Sequence, residues 1–261
     1  MAENVEQHFR ASERPFIDQS EGYIRQALDE YRPILTNFLN PRQRYILATL
    51  INRHTELAFR ENGGYPDAES ARVLIYPAYY QPELSDFEIT VLEINYPTKF
   101  AELHHSTILG SMMHNGIERS SIGDILTDDN GIWQLILTEP MARFVQAEID
   151  HLGKTKIRFN EVALAAIIVP EVELELINTT VSSLRLDTIV ANGYNVSRTH
   201  AKDMIEHGLV RVNWTEIERP DFNVAVNDLI SVRRYGRIKL LSENGLTKKE
   251  KWRVELAVIK K

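Results

Sequence analysis

The stretch "NVSRTHAKDMIEHGLVRVN", Asn195 to Asn213, fixes how the C-terminal part of this chain is read. Ser197 is a good N-cap, because its hydroxyl can accept a hydrogen bond from an unpaired first-turn N–H. Ala201, Met204 and Ile205 then form an apolar stripe, and Gly208 ends the helix. In "LVRVN", Val210 and Val212 point one way while Arg211 and Asn213 point the other. Arg198 and Lys202, four apart, share a helix face away from the apolar stripe. A helix mouth with free N–H groups and added cations suits a phosphate, and a polyphosphate gains most through counterion release.

The charge distribution supports this. The 261-residue chain has net charge -7. Residues 1–181 hold 15 Lys+Arg against 27 Asp+Glu, whereas residues 182–261 hold 15 against 10. A basic C-terminal third on an acidic body predicts a dedicated anion-binding module. Cysteine is absent, which excludes disulfides, thiolate metal sites and cysteine catalysis, and fits a reducing cytoplasm. The longest apolar run, Val162 to Val169, is far short of the roughly 20 residues that span a bilayer. No secretory signal opens the chain, so an intracellular protein without membrane attachment is expected.

Upstream, residues 1–75 read as helical. Ile24, Ala27, Leu28 and Tyr31 form one stripe, and Asn40-Pro41 starts a second helix expected to run through "RQRYILATLINRHTELAF". Arg42, Arg44 and Arg53 are expected in solvent. "RVLIYPAYY" and "FEITVLEINYP" read as strands, and "FAELHHSTILGSMMHNGI" as a helix. "SIGDILTDDNGIWQLILTE" reads as a hairpin turning at Asp129-Asn130-Gly131, with Gly123-Asp124 as a further turn. A helix from Pro140 to Gly153 and strands in "KIRFNEV" and "ELELINTTV" follow. The order strand–helix–strand–strand–helix–strand predicts a small α+β sandwich in an α+β, multidomain chain. Expected domains are 1–75, helical; 76–178, α+β; 183–243, the basic module; and 244–261, a basic strand or tail.

In the basic module, "SSLRLDTIVANGYN" supplies another helix, with Gly193 expected in the left-handed conformation at its end. The candidate anion-binding residues are Arg185, Ser197, Arg198, Thr199, His200, Lys202, Arg211 and Asn213, with Arg233 and Arg234 from "RRYGRIKLL". Asp187 is expected to pair with and orient an arginine. Tyr235 and Trp252, interleaved with cations, are either a stacking platform for unpaired RNA or packing beneath a hairpin. Arg119 is either an RNA contact or plain surface. His104, His105 and His114 lack partners at ligand spacing, so no metal is expected; no cofactor motif is present.

The motif series Arg185-Leu186-Asp187, Gly193, Ser197-Arg198, Ala201, Ile205, His207-Gly208, Val210, Val212-Asn213 and Asp228-Leu229-Ile230-Ser231-Val232 resembles an αL-type S4 RNA-binding domain over about residues 183–235. Asn227 stands where that family usually has glycine. "LHHSTILGSMMHNGIERSSIGDI", Leu103 to Ile125, resembles the middle-domain signature of the YlmH-type bacterial S4 proteins. The resemblance implies a helical N-terminal region, an α/β-plait and a C-terminal S4 domain. It also implies a non-enzymatic, monomeric RNA-binding protein of ribosome-associated quality control, with 23S rRNA of the large subunit and peptidyl-tRNA as partners. Two alternatives remain open at this level. One is an S4-linked pseudouridine synthase, although "LRLD" lacks the glycine of that family's catalytic motif. The other is a cell-division adaptor using the acidic N-terminal region.

Overall fold

The computed structural model describes residues 9–128, 130–169 and 174–260, and the chain divides into two compact units, Met1–Pro170 and Glu171–Lys261.

The first unit opens with helix α1 (Arg14–Glu30), which buries Ile17, Ile24 and Ala27. Strand β1 (Ile34–Leu39) and helix α2 (Pro41–Ile51) follow. The start of α2 is fixed locally: Asn40 Oδ1 accepts from Gln43 N at 2.8 Å, and Gln43 Oε1 accepts from Asn40 N at 3.0 Å. Strands β2 (Leu57–Asn62) and β3 (Ala71–Pro77) complete a sheet of order β1-β3-β2. The all-helical expectation for residues 1–75 therefore fails at β1 and β2. Residues 57–62 pair continuously with β3, from Leu57 opposite Pro77 to Asn62 opposite Arg72. That ladder outweighs the helical pattern of "TELAF" and stops α2 at Ile51.

Two arginines expected in solvent are also withdrawn from it. Arg42 is buried and donates to both carboxylate oxygens of Glu13, at 2.8 and 3.0 Å. Arg44 donates to Glu61 at 2.7 Å. Helical periodicity could not reveal acidic partners contributed by other elements.

The rest of this unit comprises β4 (Ile89–Asn95), α3 (His105–His114), β5 (Ile122–Thr127), β6 (Trp133–Thr138), α4 (Glu139–Glu148), the short hairpin β7 (His151–Leu152) and β8 (Thr155–Lys156), and β9 (Arg158–Val162). The sheet order β5-β6-β4-β9, antiparallel throughout, is that of the expected plait. Leu92, Leu135, Leu137, Ile108, Met112 and Val145 form the core between its helices and one sheet face. On the other face Val91, Leu126 and Ile136 cluster with Phe38 of β1. The β5–β6 hairpin is as expected, with Asp129 outside the described residues.

Gly123-Asp124 is no turn but lies within β5, at a register shift. A Cβ on Gly123 would lie 2.9 Å from a Phe38 ring carbon. The Asp124 carboxylate accepts from Tyr65 OH at 2.8 Å, Glu69 N at 2.8 Å and Ser70 N at 3.1 Å. Arg119 donates to the carbonyls of Ile122 and Gly123, which gives it a structural use.

The second unit is a six-stranded sheet, order β10-β15-β14-β13-β11-β12, with two helices. Its elements are β10 (Leu174–Val181), α5 (Leu186–Gly193), α6 (Arg198–Glu206), β11 (Val210–Val212), β12 (Thr215–Glu216), β13 (Leu229–Val232), β14 (Gly236–Leu246) and β15 (Trp252–Lys260). Leu186, Ile189, Ala201, Met204 and Ile205 from the helices pack on Val210, Val212, Ile230, Ile238, Leu256 and Val258 from the sheet. Here the sequence-based boundaries shift. Most of "ELELINTTV" falls in the expected middle domain, 76–178, yet β10 pairs along its whole length with β15, from Leu174 opposite Ile259 to Val181 opposite Trp252. Of the two readings of the C-terminal segment, strand or tail, the described residues give the strand: β15 pairs with both β10 and β14. Trp252 packs against this core.

Candidate nucleic-acid interface

Helix α6 opens as its sequence predicts: Ser197 has extended backbone angles, and its Oγ accepts from His200 N at 3.1 Å. Its first turn, Arg198, Thr199 and His200, is exposed, as is Lys202 one turn on. The apolar stripe at Ala201, Met204 and Ile205 is buried, which orients the helix and forces the polar face outward.

The cations around this mouth are organised by Asp187, in the first turn of α5. Arg185 donates to it through Nε at 3.2 Å and Nη2 at 2.9 Å. Arg198 donates through Nε at 3.1 Å and Nη2 at 3.3 Å. Thr188 Oγ1 adds a bond at 3.1 Å. Burial acts to raise the carboxyl pKa of Asp187, but the hydrogen bonds from Arg185, Arg198 and Thr188 outweigh it and hold the group below the ordinary carboxylate range. The Asp187 side chain is only 4% exposed, against 37% for Arg185 and 53% for Arg198. One buried negative charge thus fixes two positive ones at the surface. Each guanidinium spends Nε and Nη2 on Asp187, which leaves Nη1 directed elsewhere.

Lys202 lies 3.5 Å from Glu206 in an exposed i,i+4 pair. Such pairs contribute about 0.3–0.5 kcal/mol, so a phosphate can compete for the ammonium. His200 Nε2 meets Tyr235 OH at 3.0 Å. Tyr235 lies in the turn between β13 and β14, and this contact brings exposed Arg233 and Arg234 to the same end of the module. Arg234 adopts φ 71 there.

Two candidates are placed differently. Val210 and Val212 enter the core beneath the helices, so Arg211 projects from the opposite face of the sheet, 3.8 Å from Glu216. Asn213 is committed to a turn. Its Nδ2 donates to Asp228 at 2.8 Å, its Oδ1 accepts from Leu229 N at 3.0 Å, and its φ is 49. Asn213 therefore shapes the module rather than presenting a free amide. The part sequence reading left out is Tyr194, whose ring lies 5.3 Å from that of Tyr235. Its only signal was an aromatic residue just after Gly193.

Gly193 itself is needed for a reason other than the one expected. Its Cβ would lie 2.4 Å from Ile238 Cδ1, so the constraint is close packing of α5 on β14. The left-handed residue beyond α5 is Asn195, at φ 53. Asn227, in place of the usual glycine, takes φ 67, a conformation asparagine tolerates. Among the described residues no cluster of His, Asp or Glu could hold a metal, and no helix is long and apolar enough to cross a membrane.

Comparison with known proteins matches this architecture part by part. Residues 12–80 match the model "YlmH, N-terminal", residues 82–166 "Putative RNA-binding domain in YlmH", and residues 184–230 "S4 domain". A Bacillus subtilis protein named ribosome-associated protein quality control protein P2 is 38% identical over 251 residues, 96% of this chain and 97% of that one. The solved "Cell division protein ylmH from Streptococcus pneumoniae" is 37% identical, with a TM-score of 0.55, and covers 62% of this chain and 98% of its own. Over the S4 region alone, the small ribosomal subunit protein uS4A of Clostridium perfringens is 39% identical across 66 residues, 23% of this chain and 32% of that one. With N-terminal, middle and S4 regions all matched in order, and near full-length identity to one member, the chain belongs to the YlmH family of S4-domain proteins.

Proposed function

We propose that this protein binds RNA of the large ribosomal subunit through the mouth of α6, and acts in quality control of stalled complexes that still hold peptidyl-tRNA. It works by binding rather than by catalysis, as a cytoplasmic monomer without a cofactor. The observation that carries the reading is the convergence of Arg185 and Arg198 on buried Asp187. Fixing two guanidinium groups before any ligand arrives lowers the entropy lost on gripping a phosphodiester. Arg198, Thr199 and Lys202, with the open N–H groups of α6, extend that grip, His200 adds a ring at its edge, and Arg233 and Arg234 broaden it. The relative named for ribosome-associated quality control supports the setting; 23S rRNA and tRNA contact are the finer proposal.

The test is co-sedimentation with purified large subunits. The double variant R198E/K202E is expected to lose association while keeping its circular dichroism spectrum, with a lowered melting temperature because Arg198 pairs with buried Asp187; K202E alone, which leaves that pair intact, is expected to weaken association with unchanged melting. Unchanged co-sedimentation overturns the reading.

A further inference from the structure

The RNA face carries one feature that phosphate binding does not use. His200 is exposed, and its Nε2 meets Tyr235 OH at 3.0 Å, a contact that favours one orientation of the ring. The His200 and Tyr235 rings are 6.2 Å apart at 58°, and Tyr235 and Tyr194 are 5.3 Å apart at 54°. Both tyrosines are partly buried against the module's core. The three rings form a pile, anchored at Tyr194 and ending in solvent at His200. Here Nε2 is engaged by Tyr235 OH, and the exposed ring sits at the open end of an aromatic cluster, the place where a base can stack. Cations flank it: Arg198 and Lys202 on α6, Arg233 and Arg234 on the turn.

We propose that His200 is a stacking seat for an unpaired nucleobase, with Tyr235 as its positioning residue, so that the face selects RNA with an extruded nucleotide over uninterrupted duplex. This rests on the RNA-binding reading above and narrows its substrate class. Paired bases hide their faces in the helical stack, whereas a bulged or loop nucleotide exposes one and carries phosphates on either side. The ring face takes the base, and the arginines and Lys202 take the flanking phosphates.

The test uses the full chain and three RNA hairpins of one sequence: fully paired, with a single bulged adenosine, and with an abasic site at the bulge. Fluorescence anisotropy gives the affinities, and 2-aminopurine at the bulge reports stacking by quenching. The adenosine bulge is expected to bind about tenfold more tightly than the paired hairpin, at the lower end for base–aromatic stacking. The abasic bulge is expected to lose most of that preference. H200A should abolish both preference and quenching, H200F should retain them, and Y235F should weaken quenching by releasing the ring. Equal binding of abasic and adenosine bulges, or quenching that survives H200A, overturns the inference. Failure of all three hairpins to bind also overturns it, and leaves the large-subunit reading to its own co-sedimentation test.

Discussion

Arg198 of α6 reaches back to Asp187 of α5, with Nε 3.1 Å from Oδ2, so that the two helices are joined by an ion pair at the mouth of α6. The same carboxylate holds Arg185 at 2.9 Å. Binding geometry and fold stability therefore meet in one acidic residue.

This predicts an acid-dependent loss of stability. The folded pKa of Asp187 is lowered, so its contribution is complete above the ordinary carboxylate value of about 3.9 and is lost as pH falls through the lowered folded value. Thermal melts across pH 6 to 2.5 should show D187N less stable than the parent at pH 6, by about 2 kcal/mol. The gap should narrow at the acid end. A constant gap across that range would mean that the ionised carboxylate is not what stabilises the pair.

Lys202, held only by an exposed neighbour, should act as a plain counterion-releasing contact. In K202A the slope of log affinity against log salt concentration should become shallower by about 0.7–0.9, with little effect on melting temperature. Filter binding or anisotropy at several salt concentrations reads this directly.

Gly193 and Ile238 should be energetically coupled. A methyl group on Gly193 meets Ile238 Cδ1 at 2.4 Å in a closed core, so G193A should destabilise by about 1–3 kcal/mol. I238V removes that atom, and the double variant should recover part of the loss. A double-mutant cycle with no coupling would locate the strain elsewhere.

Arg72 should be irreplaceable in the first unit. Burial lowers its pKa to about 10. It donates to the carbonyls of Thr36 at 2.8 Å, Phe87 at 2.8 Å and Glu88 at 3.0 Å. R72M keeps the bulk and removes the donors, leaving buried carbonyls unpaired. A loss of about 3 kcal/mol is expected by denaturant titration.

Sequence patterns revealed most where structure is decided locally. The Ser197 cap, the stripe at Ala201, Met204 and Ile205, the Asn40-Pro41 start of α2 and the β5–β6 hairpin all depend on residues within a few positions of one another. What stayed hidden depends on distant partners. Arg42 looked exposed because Glu13 lies on another element. Residues 57–59 looked helical because β3, which pairs with them, comes later. Gly193 looked like a helix stop because Ile238 cannot be seen from α5. Within the site, the cations of α6 were legible from spacing. That Arg198 shares one carboxylate with Arg185, at the start of α5, follows only from the crossing of α5 and α6.

The pairing of β10 with β15 has a consequence for how the second unit assembles. The β14–β15 hairpin joins neighbours in the chain and can form early, whereas β10 must wait for a partner made long after it. Until that late strand arrives, Leu174 and Leu176 sit on an unpaired segment with both ladder edges open. The nascent module is then most vulnerable to aggregation, and losing the last strand would unmake the scaffold beneath α5 and α6 rather than trim a terminus.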